Sequence, residues 1–104
     1  MFVTITTADT AGEPIENAAI VAEEMARWLR ETDGFEGFLM LTGEQKAIGL
    51  AFWSSREIAE HHRLARAQFR ERILSIAGVQ IEEIVDYDVV FARFEPGLIA
   101  AAAT

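Results

Sequence analysis

The sequence contains no cysteine, an excess of acidic over basic residues, and no long uninterrupted apolar segment. Without cysteine it has no disulfide, thiolate nucleophile or cysteine-ligated metal, which fits a reducing compartment such as the cytoplasm. The chain has 9 Lys and Arg against 17 Asp and Glu, a net charge of −8, which disfavours nucleic acid and anionic membrane surfaces as partners. No run approaches about 18 apolar residues, and the amino-terminal residues do not resemble a leader, so we expect neither membrane insertion nor secretion.

The length of 104 residues predicts a single domain. We place that domain at residues 1–95 and a carboxyl-terminal tail at residues 96–104, because Glu95-Pro96-Gly97 interrupts the last predicted strand. Hydrophobic residues make up 51% of the chain, which is high for so small a protein. We therefore expect apolar surface that a single copy does not cover.

The most informative segment is a predicted hairpin. Residues 35–41 and 47–53 flank the turn Thr42-Gly43-Glu44-Gln45-Lys46 and have almost no polar alternation, which is typical of strands covered on both faces. A short strand precedes them at residues 2–7, and a helix follows from Pro14, ending near Gly34. A second helix begins at a capping box formed by Ser54 and Glu57, and a last strand covers roughly residues 79–94.

This order of strand, helix, strand, strand, helix, strand predicts an α+β fold of the ferredoxin-like βαββαβ type, with an antiparallel four-stranded sheet and both helices on one face. The other face would be apolar and open. Pairing two such faces about a twofold axis is the simplest way to cover this apolar surface, so we expect a homodimer formed through the sheet face.

Two segments carry a resemblance to a known family. Asp33-Gly34-Phe35-Glu36-Gly37-Phe38 resembles the Gly-Phe entry to the second strand of the antibiotic biosynthesis monooxygenases, and residues 53–62 resemble their Trp-x-Ser-x-Glu-Ala-x-x-x-His segment. The resemblance covers about residues 2–94 and implies a dimeric α/β barrel. Members include cofactor-independent oxygenases of anthrones and quinols, haem-degrading enzymes, isomerases and proteins without an assigned activity.

The resemblance disfavours haem and implies no cofactor. Haem-degrading members use an asparagine in the first strand, a tryptophan early in the second helix and a histidine further along it. This chain has Thr6 or Thr7 in place of the asparagine, His62 in place of the tryptophan, and Arg72 near the position of the histidine. A metal site is not expected either, because His61 and His62 are adjacent on a helix and point apart.

His62 is the candidate catalytic residue. It matches the family's recurring histidine, and its ordinary pKa of about 6.5 suits proton abstraction from a phenolic substrate. The alternative is a core histidine bonded to the backbone. We expect His61 at the surface.

The candidate substrate-binding residues are aromatic. Trp53 offers a flat wall, and the other side chains offer an apolar lining or a hydroxyl: Phe38, Phe52, Phe69 and Tyr87, with Phe91 as a further member. Packing in the core, or exposure of the hydroxyl to solvent, is the alternative for each. Asp86 and Asp88 alternate with Tyr87, so we expect them on the opposite face, paired with Arg93 or a partner chain.

Two functions remain open from the sequence. One is a cofactor-independent monooxygenase acting on a small phenolic, anthrone-like or quinol-like molecule. The other is a non-catalytic dimer that binds a hydrophobic ligand or has a structural role.

Overall fold

The computed structural model describes residues 1–10, 18–61, 67–68, 71–72 and 79–98. The elements in these ranges are β1 (Phe2–Asp9), α1 (Ala18–Leu29), β2 (Phe35–Thr42), β3 (Lys46–Trp53), α2 (Arg56–His61) and β4 (Gln80–Asp88). Residues 67–68 and 71–72 are also helical. The predicted hairpin is confirmed, while the last strand ends at Asp88, earlier than the sequence predicted.

The four strands form one antiparallel sheet in the order β2-β3-β1-β4. Together with the element order, this is the ferredoxin-like α+β fold that the sequence predicted. The central strand β1 pairs along its whole length with β3, from Phe2 opposite Trp53 to Asp9 opposite Lys46. Its pairing with β4 shifts register between Thr7 and Ala8.

The hydrophobic core lies between the sheet and the helices. Val21, Met25 and Leu29 recur at helical spacing on α1 and are buried against the sheet. They pack in one cluster with Phe2 and Trp53, the paired residues at one end of β1 and β3, and with Ala51 and Ala59. This end of the layer is therefore fully packed.

The turn between α1 and β2 depends on Gly34. Its φ of 85° lies in the left-handed region, as the sequence predicted. A Cβ at this position would collide with the side chain of Ile58 in α2. The Gly34 carbonyl accepts a 2.8 Å hydrogen bond from the amide of Ser54. The close approach of α2 to this turn thus requires glycine.

The predicted cap of the second helix is wrong by one residue. Ser55 Oγ, not that of Ser54, accepts the hydrogen bond from the amide of Ile58, at 3.2 Å. Ser54 directly follows β3, and its amide donates to the Gly34 carbonyl. The residue that follows it is therefore the N-cap.

Two ion pairs link β4 to the rest of the fold. Lys46 Nζ lies 2.8 Å from Glu82 Oε2, and Arg56 Nη2 lies 2.8 Å from Asp88 Oδ2. As the alternation predicted, Asp88 lies on the face opposite Tyr87, and the register places it beside Phe2 on the helix-facing side. Its partner is Arg56, whereas the sequence suggested Arg93 or a partner chain. Asp86, opposite Thr4, lies on that side too.

Candidate functional site

The middle of the helix-facing side of the sheet is formed by small side chains. The register places Ala47, Gly49 and Ala51 of β3 beside Ala8, Thr6 and Thr4 of β1, respectively. We call these six residues the floor. Large side chains lie at its margins, with Trp53 and Phe2 at one end and Phe38 on the β2 side. The floor residues on β1 and the two alanines of β3 are buried, with exposures of 3–5%.

Two buried polar groups face this layer without a hydrogen-bond partner among the described residues. They are Thr4 Oγ1 and Trp53 Nε1. Trp53 is 1% exposed and Thr4 is 5% exposed, so water does not reach them from outside. Buried polar groups in proteins nearly always have partners. An unpartnered donor and hydroxyl on the same face of the sheet are therefore the strongest local indication of a ligand.

Trp53 packs as a core residue through its ring. The ring meets that of Phe35 edge to face, with centroids 5.9 Å apart and an interplanar angle of 72°. Phe2, Met25 and Leu29 belong to the same cluster. The face of the indole is thus occupied by protein, and its N–H edge is the part that lacks a partner.

Phe38 lies over the floor. A Cβ added at Gly49 would be 3.3 Å from Cε1 of Phe38, so the glycine allows this ring to approach the sheet closely. Phe38 is partly buried and packs against the core cluster. Of the candidate aromatic residues in the described ranges, Phe38 and Trp53 therefore share the helix-facing layer.

The structure separates two other candidates from this layer. Phe52 pairs with Val3, and Tyr87 pairs with Val3 from the other side. All three lie on the open face of the sheet, because adjacent residues of a strand point to opposite faces. Phe91 lies beyond β4 and is exposed. The register therefore places Phe52 and Tyr87 on the face opposite Trp53 and Phe38.

His62 and Phe69 lie outside the described residues. His61 is exposed, as expected. Within the described ranges no cluster of three His, Asp or Glu side chains has the spacing of a metal site. None of the helices in those ranges combines the length and apolarity that a bilayer crossing requires.

The charged groups lie at the rim of the layer. Arg56, the first residue of α2, stacks over the ring of Phe2 with its guanidinium carbon 5.0 Å from the centroid. Its hydrogen bond to Asp88 and the charge of that carboxylate raise the pKa of Arg56. Arg56 therefore stays cationic and ties the start of α2 to the end of the sheet.

A separate surface cleft lies between α1 and the helical residues 67–68 and 71–72. It has a volume of about 360 Å³ and is lined by Trp28, Gln68, Glu71 and Arg72. The Arg72 guanidinium carbon lies 5.6 Å from the centroid of the Trp28 ring. None of its lining residues belongs to the floor.

Thr4 is the site residue that sequence reasoning missed. The signal was available in the spacing, because residues 4 and 6 have the same phase as Phe2 and Ala8. Two threonines on the core face of a strand are unusual, since hydroxyl groups are costly to bury.

The element order and the sheet topology define a class, the ferredoxin-like α+β proteins. No family model matches the sequence, and no curated protein matches it. Solved structures do match. One, from Deinococcus radiodurans and assigned to the antibiotic biosynthesis monooxygenases, has a TM-score of 0.63 at 19% identity over 91% of this chain and 98% of the other.

A second match is SnoaB, a cofactor-independent oxygenase from Streptomyces nogalater. It has a TM-score of 0.63 at 15% identity over 91% of this chain and 96% of SnoaB. A third is At3g17210 from Arabidopsis thaliana, with a TM-score of 0.58 at 12% identity over 89% and 98% of the two chains. The predicted resemblance to antibiotic biosynthesis monooxygenases is thus confirmed at the level of the fold. Function has to be argued from the site.

Proposed function

We propose that this protein is a cofactor-independent monooxygenase that acts on a small aromatic molecule held between the sheet and the helices. The observation that carries the proposal is a pair of buried, unpartnered polar groups on the helix-facing side, Thr4 Oγ1 in the floor and Trp53 Nε1 at its end. The fold shared with SnoaB, a cofactor-independent oxygenase, supports the same chemistry. The substrate class is a phenol, anthrone or quinol, whose electron-rich ring can itself react with oxygen.

The reaction requires only a base and an apolar layer from the protein. A base removes a proton from the activated carbon or hydroxyl of the substrate, and the resulting anion gives electrons to dioxygen. For an anthrone, the net change is CH₂ plus O₂ to C=O plus H₂O, so one oxygen atom enters the ketone and the other leaves as water. An apolar, water-excluding layer protects the anion until oxygen reacts. His62 is the proposed base, with Trp53 and Phe38 bordering the substrate.

Oxygen uptake by the purified protein tests this proposal. The assay uses a panel of anthrones and hydroquinones in the presence of a metal chelator. We expect uptake with at least one member, and loss of about 100-fold or more in His62→Ala, the lower range for general base catalysis. His61→Ala is the matched control, because it removes an exposed neighbouring histidine. Circular dichroism of both variants checks folding.

Inactivity of the wild-type protein across the panel would contradict the oxygenase and favour the second function, a non-catalytic dimer that binds a hydrophobic ligand. Equal loss of oxygen uptake in both histidine variants would contradict the assignment of His62 as the base but not the oxygenase activity.

We propose that the working unit is a homodimer paired through the open face of the sheet. Most of this face is apolar; its polar residues are Thr7 and Glu83 and, at one end of the strands, Asp9, Lys46 and Gln80. Its apolar members include Leu39, Leu41, Ile48, Leu50, Phe52 and Tyr87. A second copy offers the same largely apolar surface, and a twofold pairing covers both at once.

The segment after β4 also supports self-association. Val90 is 96% exposed, and Phe91, Phe94 and Leu98 are exposed as well. This apolar segment leaves the sheet at its edge, since the amide of Val89 bonds to the carbonyl of Met1 at the end of β1.

Sedimentation velocity tests the dimer. Leu39→Glu places a charge on the open face and should shift the protein to a monomer at micromolar concentration. Ile20→Glu is the control, because Ile20 is an exposed apolar residue of α1 on the other side of the sheet. A wild-type protein that sediments as a monomer would refute the pairing.

A further inference from the structure

We infer that the surface cleft beside α1 binds a free α-amino acid as its zwitterion, with Arg72 as the partner of the carboxylate and Glu71 as the partner of the ammonium group. The inference does not depend on the proposed oxygenase, because no residue that lines the cleft belongs to the floor. It assigns a second binding site to the chain.

The cleft has the size of a small-molecule site. Its volume of about 360 Å³ lies within the range of ligand pockets in proteins, about 300–1,000 Å³. The described residues that line it are Trp28, Gln68, Glu71 and Arg72. They contribute an aromatic ring, an amide, a carboxylate and a guanidinium group. Charges of both signs therefore meet in a space that holds one small molecule.

The helical spacing explains why three of these side chains share the cleft. Gln68 precedes Glu71 by three residues and Arg72 by four, and residues with these separations lie on one face of a helix. Glu71 and Arg72 are adjacent, so they diverge around the helix axis and are poorly placed to pair with each other. Their opposite charges therefore remain available to two groups of one ligand.

Trp28 holds the Arg72 guanidinium in place. The indole lies in the last turn of α1 and packs against the core cluster, so it is a fixed surface. The guanidinium carbon is 5.6 Å from the ring centroid, within the distance of a cation–π contact, about 6 Å. A guanidinium that stacks through its face keeps its N–H edges for a carboxylate, which it binds through two parallel hydrogen bonds.

The charges of the cleft and of the chain select a ligand without net charge. The net charge of −8 repels a simple anion, and Glu71 adds to that repulsion inside the cleft. A simple cation would be repelled by Arg72, which already occupies the indole. A zwitterion satisfies both side chains and avoids both repulsions. Gln68 can donate to its carboxylate or accept from its ammonium group.

Three forms of one molecule test the inference. Phenylalanine carries both charges at neutral pH, phenylalaninamide keeps the ammonium group alone, and N-acetylphenylalanine keeps the carboxylate alone. Binding is followed in nitrogen–proton correlation spectra by the indole N–H signal of Trp28, which is identified by its loss in Trp28→Phe. Because the cleft is open to solvent, we expect phenylalanine to bind with a Kd of about 1 mM. Each derivative should bind about tenfold more weakly, since it lacks one hydrogen bond between charged groups.

Charge-removing variants identify the partner of each group. Arg72→Gln should remove the preference for phenylalanine over phenylalaninamide, and Glu71→Gln should remove the preference over N-acetylphenylalanine. Arg93→Gln is the matched control, because Arg93 also lies 5.6 Å from an aromatic ring, that of Phe91, but does not line the cleft. It should leave both preferences unchanged. All three substituted positions are exposed, so we expect the variants to fold, which circular dichroism checks.

Several results would overturn the inference. They are absence of phenylalanine binding by the wild-type protein, equal affinity for the three forms, and preferences that Arg72→Gln and Glu71→Gln leave intact. Tighter binding of N-acetylphenylalanine would identify an anion site instead, and tighter binding of phenylalaninamide a cation site. A loss of binding in Arg93→Gln as large as that in Arg72→Gln would place the ligand outside the cleft.

Discussion

Replacing Thr4 with valine should make the ligand-free protein more stable. The hydroxyl of Thr4 is buried with no partner among the described residues, and valine has nearly the same shape. Burying a hydroxyl without a hydrogen bond costs about 1–3 kcal/mol in proteins. Because the site can relax, we take the lower end and expect a gain of about 1 kcal/mol in the free energy of unfolding. For a domain near 100 residues this raises Tm by about 4 °C.

Thermal and urea unfolding followed by circular dichroism measure this gain. Thr42→Val is the control for the higher strand propensity of valine, because Thr42 is an exposed strand residue. The gain at position 4 should exceed the gain at position 42. A loss of stability at position 4, or an equal change at the two positions, would refute the reasoning, because it would mean that the hydroxyl is satisfied in the free protein.

The other predictions concern the fold around the site. In urea unfolding, Gly34→Ala should lower the free energy of unfolding by about 2 kcal/mol or more, because alanine is strained in the left-handed region and its Cβ collides with α2. Gly37→Ala should have little effect in the same assay, because a Cβ there meets nothing within 4 Å. Ser55→Ala should cost about 1 kcal/mol of stability in the same assay and Ser54→Ala much less, since Ser55 caps α2; equal effects would refute the cap. The hydrogen bond to Glu82 and the charge of its carboxylate raise the pKa of Lys46. The stability that this ion pair contributes is therefore complete below the unfolded pKa of about 10.4 and is lost as the pH rises through the folded value. The Tm difference between wild type and Lys46→Met should disappear in strong alkali, and a difference that persists there would contradict this.

Much of the fold could be predicted from the sequence, because the local signals agreed with the tertiary structure. The hairpin of residues 35–53 was readable from its turn and apolar strands, and the left-handed Gly34 from its place after α1. The cap was misplaced because a hydrogen bond between Ser54 and Gly34, distant in sequence, decides where β3 ends. Local pattern carries no information on such a bond.

The candidate site was less predictable, since it depends on which face each residue takes. The sequence identified the right residue types but grouped Trp53 with Phe52 and Tyr87, which the register assigns to the other face. It also passed over Thr4, because a single hydroxyl in a strand is ordinary until its burial and lack of partner are known.

The position of Tyr87 gives the molecule a built-in optical probe. It is the single tyrosine of the chain, and it is 53% exposed on the open face. If two sheets stack, the phenol passes from solvent into the seam between them. The change in near-ultraviolet absorption of this one ring, superimposed on the absorption of Trp28 and Trp53, would then report the monomer–dimer equilibrium without any label.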